Sequence, residues 1–160
     1  ALFRAAKFFP EGVVGQPLAR MQLAVVAASG TALRRGTKLA DCQALGWVLN
    51  PDGCGFRAGL QRALAEQALT PKVNLETSGT ELQLGLVANG MGLGLVPLPL
   101  LESSQHRQRL EVLNIVDFKP VIDLWLIQPR FIGNLQGAVT LFGERVARRL
   151  GAQSETAVPA

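Results

Sequence analysis

The residues predict an α/β domain with a mainly parallel sheet, and three observations carry that prediction. Short apolar runs recur at Leu18–Ser29, Gly46–Asn50, Lys72–Glu76, Leu110–Val116 and Val121–Gln128, at lengths typical of strands. Ala58–Ala68 and Asn134–Leu150 place apolar residues at helical spacing, as an amphipathic helix does. Ser78–Pro97, SGTELQLGLVANGMGLGLVP, reads as a helix that runs through a glycine turn into a short buried strand. Strands alternating with helices argue for helices packed on a parallel sheet.

Taken in order, Ala1–Ala6 is apolar and suits a strand, whereas Lys7–Pro17 holds two prolines and two glycines and reads as loop. Val25 and Val26 give Leu18–Ser29 its strand character. Gly30–Gly36 is a polar turn, Leu39–Leu45 fits one or two helical turns, and Gly46–Asn50 is the next strand. The glycine-rich loop Pro51–Arg57 opens the helix Ala58–Ala68, whose apolar stripe is Leu60, Leu64 and Ala68. Thr70-Pro71 stops that helix, and Lys72–Glu76 alternates as a half-exposed strand.

In the central stretch Ser78 or Thr80 suits an N-cap, with Glu81 three residues after Ser78 as in a capping box. Leu82, Leu84, Leu86 and Val87 supply the apolar side, and Asn89-Gly90 ends the helix. Gly92 and Gly94 clear space where the strand passes the helix, and Pro97 closes it. Ser103–Arg109 is polar loop, and two strands follow around Asp117–Pro120. The last helix, Asn134–Leu150, turns Leu135, Ala138, Val139, Phe142, Val146 and Leu150 inward. Gly151–Ala160 has no pattern and reads as a tail.

Composition narrows the function classes. In 160 residues, 48% are hydrophobic and 18% charged, which excludes a disordered chain. No apolar run approaches the roughly 20 residues that span a bilayer. The net charge of +4 is spread along the chain rather than clustered, so it does not mark a nucleic-acid surface. The densest group, Arg145, Arg148 and Arg149, sits near the end of the last helix, where cations oppose the dipole. Cys42 and Cys54 have neither zinc spacing nor a disulfide framework, which makes the cytoplasm the default compartment. His106 lies in the polar run SSQHRQR, and no G-x-S-x-G elbow frames Ser103 or Ser104. No catalytic residue, metal site or cofactor is expected. With no signal-peptide pattern and an apolar start at Ala1, the chain reads as a piece of a longer polypeptide.

The run LVANGMGLGLVP, with ETSGTELQ before it, resembles the signature of the effector-binding domain of LysR-type transcriptional regulators. The resemblance extends over roughly residues 1 to 150. It implies a periplasmic-binding-protein-like (type 2) fold of two lobes joined by crossover segments. Residues 1–26 and 109–150 then form part of lobe I, 27–108 the complete lobe II, and 151–160 a flexible tail. The family's winged helix and the opening elements of lobe I have no counterpart here. The resemblance further implies a small-molecule effector held in the inter-lobe cleft, homodimers or homotetramers assembled through regulatory domains, and DNA contact only through the absent winged helix.

Two stretches carry the binding chemistry. Gly53, Cys54, Gly55, Phe56 and Arg57 lie between a strand and a helix N-terminus, where backbone N–H groups and the helix dipole favour an anion. Arg57 can meet a carboxylate in bidentate fashion or serve as a solvated helix-start arginine. Gly79 and Thr80 begin the central helix and offer a second set of donors, or simply cap it. By resemblance both stretches face the effector cleft, and Phe3 and Arg4 match the strand end lining its opposite wall. Small residues and arginines together suggest an organic anion.

Rival readings remain at this level. GCGFRA fits G-x-G-x-x-A after a strand, with Glu76 placed for a ribose hydroxyl, the pattern of a dinucleotide-binding enzyme. A stand-alone solute-binding protein shares the implied fold. Peroxide-sensing members of the family carry a reactive cysteine near Cys54, but no resolving cysteine follows it here.

Overall fold

The computed structural model describes residues 2–3, 11–31 and 36–155, with side chains over 11–31 and 36–150. The elements are β1 (Leu2–Phe3), β2 (Val13–Ala28), a 3-10 turn (Leu39–Ala44), β3 (Trp47–Leu49) and α1 (Gly55–Ala65). They continue with β4 (Val73–Glu76), α2 (Thr80–Ala88), β5 (Leu93–Pro97) and α3 (Leu98–Glu102). A 3-10 turn (Arg107–Arg109), β6 (Leu110–Leu113), β7 (Val121–Pro129), a third 3-10 turn (Gly133–Leu135) and α4 (Gln136–Glu155) complete the order. Contacts divide the chain into two compact units, Ala1–Met21 with Val121–Ala160, and Gln22–Pro120.

The Gln22–Pro120 unit is a sheet in the order β2-β5-β3-β4, with β6 also on β2. Strands β5, β3 and β4 run parallel, as expected of strands linked through helices. The pairings of β2 with β5 and with β6 are antiparallel, which corrects the expectation of a mainly parallel sheet. Strands β2 and β5 are separated in the chain by β3, α1, β4 and α2 rather than joined by one helical crossover, so nothing imposes parallel order on that pair. Trp47, Val48 and Leu49 are all buried because β3 has a strand on either side. The core joins Val26, Val48, Leu84, Val87, Val96, Leu101 and Leu110.

Helix α2 buries Gln83, Leu84, Val87 and Ala88. Leu82, expected on the core side, is exposed, since two residues turn a helix by about 200° and it cannot share a face with Leu84. Gly94 is where α2 sits on the sheet: a Cβ there would lie 2.9 Å from Val26 Cγ2 and 3.0 Å from Val87 Cγ2. Asn89-Gly90 stops α2 as expected. Gly90 takes φ +78, its N–H donates to Val87 O (2.9 Å), and Met91 N–H donates to Leu86 O (3.2 Å), the double bond of a Schellman motif.

Helix α1 starts three residues earlier than expected, at Gly55, and ends with the same motif. Ala68 N–H donates to Ala65 O at 3.0 Å and Leu69 N–H to Leu64 O at 2.9 Å. Leu60 and Leu64 are buried, but Ala68 is the αL residue of that motif (φ 56) and does not extend the stripe. The stretch after Pro97, given no element by pattern, forms α3. Within Ser103–Arg109, read as loop, a 3-10 turn forms. His106 is half-buried over α2, its Nε2 being 3.0 Å from where a Gly85 Cβ would stand.

In the other unit β1 pairs antiparallel with β7 (Leu2↔Trp125, Phe3↔Leu124), and β7 neighbours β2. Helix α4 lays Val139, Val146, Ala147 and Leu150 on Leu18, Leu124 and Leu126. The stripe 139, 143, 146, 150 is the one that packs, helped by Gly143, whose Cβ would stand 3.0 Å from Leu126 Cδ2. Leu135, Ala138 and Phe142, expected inward, are exposed. Leu135 precedes α4 in a 3-10 turn, and Ala138 and Phe142 flank the packed stripe.

Two further expectations change. Val13–Pro17, read as loop, opens β2. Pro17 is exposed, and β5 and β6 pair only with residues 23–28, so its nitrogen meets no ladder from them. Helix α4 runs to Glu155, with no basic residue in its last turn. Arg145, Arg148 and Arg149 therefore stand on the helix body and do not cap its dipole. The part of the supposed tail from 151 to 155 is helical, and residues 156–160 lie outside the described residues. Among the described residues, no helix is long and apolar enough to cross a membrane.

Candidate functional site

Parallel pairing puts both predicted binding turns on one sheet edge. Strands β3 and β4 are neighbours with Leu49 opposite Glu76, so the chain leaves both strands at the same end. The turn 50–54 leads into α1, and the turn 77–79 leads into α2. Thr77 N–H donates to Leu49 O at 2.9 Å, fastening the second turn to the root of the first. Gly53, Cys54, Gly55 and Phe56 thus lie beside Gly79 and Thr80, within one unit.

Neither helix start has a side-chain cap. Cys54 is the N-cap of α1 and Gly79 that of α2, and neither position shows a side-chain cap hydrogen bond. The expected capping box of Ser78 with Glu81 does not form. Glu81 Oε2 instead accepts from the Ser104 hydroxyl (3.1 Å), and the same hydroxyl accepts from His106 N–H (3.1 Å). Gly53 and Gly79 hold φ of +89 and +93 with open space where a side chain would stand. Neither N-cap side chain takes up the first-turn amide donors that a cap ordinarily holds.

Arg57 is buried, and its charge is already engaged. Nη1 donates to Asn50 O (3.1 Å) and to Glu76 Oε1 (2.5 Å). Nε stands 2.9 Å from Asp52 Oδ1, but its N–H is not directed at that oxygen and makes no hydrogen bond. Glu76, which the dinucleotide pattern would use for a ribose, is drawn through Oε1 into an ion pair with Arg57. The two cysteines differ. Cys42 is fully buried and its thiol is pushed up to about 11, chiefly by burial and then by Asp41 and Asp117. Cys54 is half-buried at the α1 N-cap.

Sequence reasoning missed Gln83. It is 1% exposed and donates from Nε2 to Val48 O at 2.8 Å, holding α2 over the end of β3. A signal existed, since Gln83 and Val87 share a helix face at i, i+4 spacing. Trp47 is core, with Nε1 donating to Gln43 Oε1 at 3.2 Å. Phe3 is described only as β1 backbone, and Arg4 lies outside the described residues. A shallow depression of about 480 Å³ lined by Arg145, Arg148 and Arg149 shares no residue with the two turns. Among the described residues, no group of three or more metal-ligating side chains gathers.

The family model of the LysR substrate binding domain matches residues 1–148. Among solved structures, the QuiR effector-binding domain in complex with shikimate is similar at 21% identity and TM-score 0.70, over 88% of this chain and 69% of that one. The Synechocystis PCC6803 CcmR regulatory domain in complex with 2-PG is similar at 19% identity and TM-score 0.70, over 91% and 73%. A Corynebacterium glutamicum OxyR C206S mutant, H2O2-bound, is similar at 18% identity and TM-score 0.74, over 99% of this chain and 52% of that one. No curated protein matches the sequence.

Proposed function

Because this chain belongs to the LysR substrate-binding domain family, we propose that it is the ligand-sensing part of a bacterial transcriptional regulator and binds a small organic anion. The single observation that carries the reading is the pairing of β3 with β4, which sets two helix starts side by side, neither capped by its own N-cap side chain. Amides at a helix N-terminus are an anion site by geometry and by dipole. Gly53, Cys54, Gly55, Phe56, Gly79 and Thr80 are the contacts we assign to this lobe, and the sequence nominates Phe3 and Arg4 besides. Two structural neighbours bind small ligands, shikimate and 2-PG, which supports a ligand of similar size.

In this reading the protein acts as a switch rather than an enzyme. The effector favours one conformation of the domain and thereby changes how subunits pair as dimers or tetramers. DNA contact belongs to a separate winged helix of a cytoplasmic regulator, so the 160-residue chain by itself binds DNA weakly at most. The test is a thermal-shift screen of carboxylates and neutral metabolites. A ligand at a hundred times its Kd stabilises by about 2.7 kcal/mol. Carboxylates should raise Tm, and Gly79→Ala, which places a side chain at φ +93, should abolish that shift. Stabilisation by neutral compounds alone would sink the anion assignment.

A further inference from the structure

Arg57 stands in the first turn of α1, yet its contacts reach both candidate turns. Its side chain is 9% exposed, against 75% for Asp52 and 50% for Glu76. One atom, Nη1, is shared by Asn50 O, where the first turn begins, and Glu76 Oε1, at the end of β4 from which the second turn leaves. Its single positive charge faces two carboxylates, so little of it is left for an anionic ligand. We propose that Arg57 is a positioning residue: it ties the 50–54 turn to the end of β4 so that both amide-bearing turns hold one relative geometry. The inference rests on the assignment of those turns to the ligand.

Arginine suits this task because its planar fork directs donors to several acceptors, whereas a lysine ammonium is a compact point charge on a flexible stem. The link through Glu76 is the only part of the proposal that a purely local role in α1 would not require. It is therefore the part to test.

Amide hydrogen exchange on the 160-residue chain reads the link directly, through N–H groups that are bonded in the native state. Cys54 and Ala58 report the first turn, Thr77 and Gln83 the second, and Leu93, bonded to Gly46 O, reports the opposite edge of the sheet. Arg57→Lys should raise exchange at Cys54, Ala58, Thr77 and Gln83 together by about tenfold or more, a local opening, while Leu93 keeps its protection. Glu76→Ala, at a half-exposed site, should loosen Thr77 and Gln83 and leave Cys54 and Ala58 protected. Loosening confined to Cys54 and Ala58 in the lysine variant overturns the proposal, as does equal loosening at Leu93, which reports lost stability alone. No ligand enters this measurement. A failed carboxylate screen therefore counts against the ligand assignment, and failed exchange coupling counts against the role of Arg57.

Discussion

Gly94 offers the sharpest test of how α2, and with it the Gly79–Thr80 turn, is seated. A methyl group at this position would meet Val26 Cγ2 at 2.9 Å and Val87 Cγ2 at 3.0 Å, about 0.5–1 Å inside comfortable carbon contact. Both valines are fully buried, so neither can swing into solvent. Gly94→Ala should therefore destabilise by about 1–3 kcal/mol, the range for overpacking. Val87→Ala should cost about 2 kcal/mol for the lost methyl groups and the cavity they leave. Combined, the two changes offset in part, because the new methyl enters the space Val87 vacates while its contact with Val26 Cγ2 remains. The double variant should cost about 1–2 kcal/mol less than the sum of the single variants. Urea unfolding followed by Trp47 fluorescence in a Trp125→Phe background reads this unit alone, since Trp47 lies within Gln22–Pro120 and Trp125 does not. Additivity within about 0.5 kcal/mol, the tolerance for independent sites, would refute the contact geometry that places α2.

Other consequences are open to direct measurement. Gln83→Leu removes the side-chain donor to the buried Val48 carbonyl and should cost about 0.5–1.5 kcal/mol in urea unfolding, whereas a surface glutamine would cost almost nothing. Ala68 occupies the αL position that glycine favours, so Ala68→Gly should stabilise by about 0.5–1 kcal/mol in the same assay. Native-state alkylation with iodoacetamide should label Cys54 and spare the buried Cys42 until the protein unfolds. The Cys42 thiol has a folded value near 11 against an ordinary 9.0. Its contribution is therefore fully present below pH 9 and is lost as pH rises toward 11, because the unfolded thiol ionises first. Cys42→Ala should flatten that alkaline loss in a pH series of thermal melts.

Much of this architecture was legible in local pattern. Asn89-Gly90 stopped α2 because glycine tolerates φ +78, and Gly94 marked a close helix–strand approach that the fold contains. The errors cluster where neighbours decide. Val13–Pro17 looked like loop through Gly15 and Pro17, yet the start of β2 extends beside β7, and Pro17 sits where no β5 or β6 ladder needs its nitrogen. Leu135 and Phe142 looked like core by hydrophobicity, but the packed stripe of α4 is centred on Val139, Gly143 and Val146.

The candidate site divides the same way. Glycine-rich turns ahead of helices are written in the order of residues, because backbone freedom and helix starts are short-range properties. The family, too, can be recognised from a contiguous run of residues. No local rule pairs Arg57 with Glu76 across 19 positions, turns Glu81 away from its capping box toward Ser104, or presses Gln83 against Val48 O. Those choices follow from which strands lie side by side. Burial then makes an unpaired charge or carbonyl costly, so each polar group takes the partner that the sheet brings within reach.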